Sequence, residues 1–183
     1  IVTTNLTVEN AVVNEEEYTQ TIPLVKGDNL FSTYIVPTNP DVSVIMKSII
    51  DDESLIKMQD EAGNSFEYWG SYGGWINNIG SVEQTEGYNI RVKTNCTLQV
   101  TGKMVVTPLD IPLNTGWNII SFPRTEQVDA MTVIQTLIDQ NKLVKVQDEA
   151  GNSIENLKQY GGWINNIGNF VPGKAYKIKV NAS

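Results

Sequence analysis

The chain has 183 residues, of which 13 are Lys or Arg, 21 are Asp or Glu and none is His, giving a net charge of −8 at pH 7. That balance excludes nucleic acid as a partner, because neutralising phosphates needs clustered basic side chains. With no His and a single cysteine, Cys96, the Ser-His, Cys-His and zinc constellations are missing, and so is any internal disulfide. No apolar run approaches the roughly 20 residues that cross a bilayer, so no membrane insertion is expected within this fragment.

In chain order, strands are predicted over residues 6–13 and 29–36. A helix of about three turns follows, with Val42, Ile45, Met46, Ile49 and Ile50 on one face, Asp41 as N-cap and Pro40 at its boundary. Residues 55–58 read as a strand, Glu61-Ala62-Gly63-Asn64 as a turn and Ser65-Phe66-Glu67 as the return strand. Tyr72 to Gly80 reads as a loop. Tyr88, Ile90 and Val92 alternate with Asn89 and Arg91, the period of a half-buried strand. Further strands are predicted over 98–106 and 117–123. A second helix starts at Asp129, with Ala130, Val133, Ile134, Leu137 and Ile138 at the same spacing. Strands over 143–146, 153–155 and 176–180 complete the series.

This order repeats because the sequence does. QDEAGNS at 59–65 returns at 147–153, and YGGWINNIG at 72–80 returns at 160–168. Ungapped alignment of 51–92 with 139–180 gives 23 identities in 42 positions. Ile22-Pro23-Leu24 and Ile111-Pro112-Leu113 correspond at an offset of 89, and Thr4-Asn5-Leu6-Thr7 and Thr94-Asn95-Cys96-Thr97 at 90. The expected fold is α+β: two tandem copies of a β-rich module, 1–92 and 93–183, each with one helix and a mainly antiparallel sheet. Residues 93–110 hold no Pro/Gly/Ser-rich linker, so the units are expected to pack rigidly. Residues 1–92 carry 14 acidic and 4 basic side chains, net −10, and 93–183 carry 7 and 9, net +2. That asymmetry favours head-to-tail packing modestly, and solvated surfaces that drifted apart after duplication account for it equally well. The chain opens without Met and in mid-pattern, as a fragment of a longer protein would.

IPLNTGWNIISFP, a helix, LVKVQDEAGNSI, GGWINNIG and PGKAYKIKV, in that order, resemble a repeat of large secreted and cell-surface proteins of Bacteroidetes and related bacteria. The resemblance covers nearly the whole chain. It implies an extracellular or cell-surface setting and an accessory role, and it brings no catalytic or ligand residues with it. The first copy departs from the pattern, with Asp28 where the second has Trp117.

Candidates for chemistry are few. No phosphate-cradling Gly-rich loop occurs. The acids shared by both copies lie on a hairpin duplicated as a part, which argues against an enzyme. Asp60, Glu61, Asp148 and Glu149 offer the clustered oxygens calcium takes, but without the alternation of a dedicated loop, and Asp, Gly and Asn also suit a tight turn. No cofactor is expected. Leu6 stands where the second copy has Cys96, so a small buried residue suits that position. Three N-glycosylation sequons, beginning at Asn5, Asn95 and Asn181, mark the junctions between units, and periodicity accounts for them.

The loop pairing Tyr72 and Trp75 with Asn77 and Asn78, repeated as Tyr160, Trp163, Asn165 and Asn166, has the ingredients of sugar recognition. A flat apolar face lies beside amides that donate and accept hydrogen bonds. The alternative is architectural, with Trp plugging a small core and Asn capping turn backbone. Tyr68 and Trp69, which are Asn156 and Leu157 in the second copy, extend the aromatic patch in the first only. Two functions follow: a non-catalytic module that adheres to polysaccharide or another surface component, or a spacer that binds nothing. Exposure of the Trp rings beside free Asn amides separates them.

Overall fold

The computed structural model describes residues 16–182; the strand expected over 6–13 and the Asn5 sequon lie outside them. Strand β1 (Tyr18–Leu24) alternates inward Gln20, Ile22 and Leu24 with exposed Thr19, Thr21 and Pro23. The alternation is hard to see in the sequence because Gln20 points inward. Its Oε1 is satisfied there by the Thr33 hydroxyl at 2.8 Å and the Tyr34 N–H at 3.0 Å. The strand expected over 29–36 is two strands, β2 (Gly27–Phe31) and β3 (Ile35–Pro37), in different sheets. They part at Ser32 and Thr33, whose hydroxyls donate to the Lys174 carbonyl and to Gln20 and so turn the backbone aside.

Helix α1 (Val42–Ile45) is capped by Asp41, whose carboxylate accepts the Ser43 N–H at 2.7 Å. Such a cap contributes about 1 kcal/mol. The helical path flattens at the fully buried Met46 (φ −79, ψ −5) and resumes as α2 (Lys47–Asp51), so this helix is in two pieces. Strands β4 (Leu55–Gln59), β5 (Ser65–Tyr68), β6 (Trp75–Asn77) and β7 (Tyr88–Val92) join β2 in a five-stranded sheet of order β2-β7-β4-β5-β6. The WIN segment, expected as loop, is thus an edge strand paired to β5.

Strand β8 (Cys96–Met104) pairs with β1 on one side and β3 on the other, and its Leu98 and Val100 are buried with the first core. By packing this strand lies with the first half, whereas by sequence period it opens the second. Thereafter come β9 (Gly116–Ile120), β10 (Val128–Asp129), α3 (Ala130–Asp139, capped by Asp129), β11 (Leu143–Gln147), β12 (Ser153–Asn156), β13 (Trp163–Asn165), β14 (Asn169–Phe170) and β15 (Tyr176–Val180). A second sheet, β13-β12-β11-β15-β9, covers the second core, and β10 pairs with β14. Every pairing among the described strands is antiparallel, and the chain is a β-rich α+β protein. No helix among the described residues is long and apolar enough to cross a membrane.

The two sheets meet reciprocally, not head to tail. Charge balance misleads here because the contact is made by backbone and a few side chains at sheet edges. Glu61, in the β4–β5 turn, accepts the N–H of Ile119 on β9 at 2.5 Å; Glu149, in the β11–β12 turn, accepts the N–H of Leu30 on β2 at 3.0 Å. Beside them Ala175 N–H donates to Leu30 and Gly87 N–H to Ile119, at 3.2 and 2.8 Å. Ser32 N–H reaches Gly173 and Ser121 N–H reaches Thr85. Each contact recurs with the halves exchanged, the mark of an isologous interface.

Two predictions follow from this packing. A Cβ at Gly87 would stand 2.4 Å from the Ala175 Cβ and 2.8 Å from the Ile120 carbonyl. Gly87→Ala is expected to cost about 1–3 kcal/mol by overpacking, read as a lower urea midpoint, and Ala175→Gly in the same chain should recover part of it. Second, Tyr88 and Tyr176 are buried, and their hydroxyls accept the N–H of Glu83 and Val171, both at 2.8 Å. Burial pushes both phenols up, Tyr176 to about 12. The unfolded chain loses these protons from the ordinary value of 10.0 upward while the folded chain keeps them. Stability is therefore unaffected by these groups below pH 10 and falls above it. Melting temperatures across that range should show the fall, and Tyr88→Phe with Tyr176→Phe should flatten it.

Candidate functional site

Each aromatic loop grows from a hairpin at the margin of a five-stranded sheet. After β5 the chain makes a single 3-10 turn over Gly70–Tyr72, closed by Trp69 N–H to the Gly74 carbonyl at 2.7 Å. Gly74 sits at φ +63, a conformation only glycine adopts readily, and its counterpart Gly162 at φ +70. Leu157 N–H to the Gly162 carbonyl, again 2.7 Å, closes the second loop.

The tip presents rings to solvent. Tyr72 is 98 % exposed and Tyr160 81 %, while Tyr68 and Trp69 in the first half are 59 % and 58 % exposed. Trp75 and Trp163 are half-buried and pack against the two cores. Trp75 stacks on the fully buried Phe66 at 5.0 Å between ring centroids, with Tyr68 across the strand pair at 5.7 Å. In the first half the rings therefore run from core to surface in the sequence Phe66, Trp75, Tyr68.

The two Asn of each loop have separate places. Asn77 accepts the N–H groups of Ile79 and Gly80 at 3.1 and 2.8 Å and donates to the Gly80 carbonyl at 2.8 Å. Asn165 makes the same three bonds to Ile167 and Gly168. These amides hold the turn. Asn78 and Asn166 are exposed, and their backbone N–H groups bond to Ser65 and Ser153. The surface thus gathers Tyr68, Trp69 and Tyr72 at the first tip and Tyr160 at the second, while Asn78 and Asn166 lie at the other end of each hairpin, opposite Ser65 and Ser153.

Glu67 and Glu155 are held below the usual carboxylate range, first by the Ser65 and Ser153 hydroxyls, and the Trp69 indole N–H also reaches Glu67. Lys57 and Lys145 stand across from them at 3.6 and 3.4 Å. Of the acids that could offer calcium ligands, Asp60 accepts both the backbone and the side-chain N–H of Asn64, at 2.8 and 2.7 Å, and Asp148 does the same with Asn152. Glu61 and Glu149 point away from those turns to the opposite half. Among the described residues no group of three or more potential ligands stands close enough to hold a metal. Cys96 is half-buried against the first core, and burial pushes its thiol up.

Sequence reasoning missed the bridging role of Glu61 and Glu149. The signal was available, because a turn needs Asp, Gly and Asn but has no use for a Glu repeated between them in both copies. Comparison with protein-family models, curated proteins and solved structures returns no significant match.

Asn165→Ala removes three bonds that fix the loop and should lower stability by about 1–2 kcal/mol. Asn166→Ala on the exposed neighbour should stay within about 0.5 kcal/mol of the parent. Urea unfolding of the two variants side by side reads the difference.

Proposed function

We propose that the chain is two copies of one module that serve a secreted or cell-surface protein as a non-catalytic adhesion unit, holding polysaccharide through the hairpin tips. The carrying observation is the exposed aromatic set on the first tip, Tyr68, Trp69 and Tyr72, the last 98 % exposed. Rings placed in water at the end of a glycine-rich turn add little to the core. Their flat faces suit the C–H faces of sugar rings. The second tip, with Tyr160 alone, is the smaller platform, and a polymer long enough to touch both gains avidity. No cofactor enters this reading.

A second reading, the ligand-free spacer, draws support from a specific observation. Trp75 and Trp163 pack inward, and Asn77 and Asn165 spend their amides on the turn. In that case the identical loops are architecture only.

Trp69→Ala with Tyr72→Ala tests the two. In the binding reading the double variant keeps its melting temperature within a few degrees and loses most of its retardation in polysaccharide-containing native gels. An unmodified chain that migrates alike with and without every polysaccharide offered would leave the spacer.

A further inference from the structure

Trp117, which stands where the first copy has Asp28, lies on a sheet face that the hairpin tips leave unused. On β9 Asn118 and Ile120 point into the second core, so Trp117 and Ile119 point out; on β15 Ile178 and Val180 point in and Lys177 and Lys179 out. Trp117 is opposite Lys179, Lys179 opposite Lys145 and Lys145 opposite Glu155. Side chains directly opposite in an antiparallel pair share a face. One rank across four strands therefore reads Trp117, Lys179, Lys145, Glu155. Lys177 stands in the next rank, opposite Ile119 and Gln147. The indole is at the β9 edge of the sheet, and the aromatic loop is at the other edge, on β13.

The first half has no equivalent of this chemistry. There the same rank is Asp28, Arg91, Lys57 and Glu67, acids and bases that pair at 3.2 and 3.6 Å. In the second half Lys145 is paired with Glu155 at 3.4 Å. Among the described residues Lys177 and Lys179 have no carboxylate at ion-pair distance. Lys179 instead places its Nζ over the indole, 5.8 Å from the ring centroid. The ring is 46 % exposed. A flat apolar surface with an ammonium beside it and positive charge in excess replaces a balanced, ring-free face.

We propose that this face is a further binding site, for an acidic polysaccharide: a sugar ring packs on Trp117, its carboxylate or sulfate is taken by Lys179, and Lys177 and Lys145 draw the acid groups of neighbouring sugars. Ring and charge select this occupant together. The indole suits the C–H face of a sugar ring. A neutral sugar would leave the ammonium groups without a counter-charge, whereas a carboxylate or sulfate makes charge-assisted bonds with them. An anionic bilayer wants a basic face with apolar side chains to insert, and here Glu155 lies in the rank. The inference does not rest on the hairpin tips, and its test separates the two.

The test is equilibrium binding of the full chain to agarose beads bearing polygalacturonate, dextran sulfate or unmodified dextran. The expected result is binding to at least one acidic polymer beyond that to dextran, and the bead that binds says whether the face takes carboxylate or sulfate. Trp117→Asp, which gives the second half the residue of the first, and Lys179→Gln should each weaken this binding about tenfold. Arg91→Gln on the first sheet should leave it unchanged, and so should Trp69→Ala with Tyr72→Ala. Raising the ionic strength from about 0.1 M to about 1 M shortens the screening length from about 10 Å to about 3 Å and should release the chain. Melting temperatures within a few degrees of the parent show that the variants fold, and Lys179→Gln carries the test if Trp117→Asp melts early. Acidic beads that bind no more than dextran beads overturn the proposal, as does binding that survives Trp117→Asp and Lys179→Gln. Binding lost only with Trp69 and Tyr72 assigns the acid to the hairpin tips and overturns it. Capture by phosphatidylglycerol vesicles that Trp117→Asp abolishes, with the acidic beads empty, gives the face to a membrane and overturns it too.

Discussion

The packing of the two five-stranded sheets depends on two carboxylates that satisfy backbone N–H groups on the other half. An edge strand presents unpaired donors, and proteins must cover, charge or pair them. Here β2 and β9 are the edges that meet the other half, and Glu61 and Glu149 reach across to the donors of Ile119 and Leu30. A charge-assisted bond of this kind is roughly twice as strong as a neutral one. It also dictates geometry, since the Glu can reach only if its hairpin turn is held at one angle. That is why the turns are identical. Asp60 and Asp148 fold back on Asn64 and Asn152 with nearly the same distances, and the rigid turn aims the Glu.

The interface is reciprocal in backbone and unequal in side chains, and the inequality follows from one-residue differences at positions 88 apart. Glu149 is paired by Lys174 at 2.5 Å, whereas the counterpart of Lys174 is Glu86. Burial raises the Glu86 carboxyl, and the neighbouring carboxylates of Asp60, Glu83 and Glu61 add to the rise. Gly87 and Ala175 face each other where two Cβ atoms would not fit. A two-fold arrangement written on a single chain can give opposed positions different residues, which a dimer of identical chains cannot. The same freedom appears on the sheet surface, where Asp28 pairs with Arg91 and the corresponding Trp117 lies under Lys179 at 5.8 Å. An ion pair has become a cation–π contact across the same two strands.

Legibility in the sequence tracked how local each determinant is. The helices were readable from apolar spacing with Asp41 and Asp129 as caps, and β7 and β15 from strict alternation, because these patterns sit within ten residues. The division of 29–36 into two strands was not, because it depends on Ser32 bonding to Lys174, far along the chain. β1 stayed hidden behind the inward Gln20, whose partners Thr33 and Tyr34 only folding brings near. The packing of the halves was misread from net charge, a bulk property that says nothing about which backbone donors need a partner. Of the candidate site, the identities in YGGWINNIG marked the place but not the division of labour, since one Asn of each pair serves the turn and the other faces solvent.

That division changes what the repeat says about function. Of the residues the two loops share beyond Tyr72 and Tyr160, the glycines, Trp75 and Trp163, and Asn77 and Asn165 have a structural reason to be where they are, while the side chains of Asn78 and Asn166 face solvent. Identity at the first group is therefore explained by folding alone. Recognition must be sought in what folding does not require: the exposed ring at each tip, and the positions where the loops differ. Tyr68 and Trp69 stand in water where the second half has Asn156 and Leu157, and each exposes more than half its surface. Tyr68 packs on Trp75 and the Trp69 indole reaches Glu67, yet most of each ring stays in water. In the proposed adhesion role these rings make the first tip the larger platform and Tyr160 the smaller one.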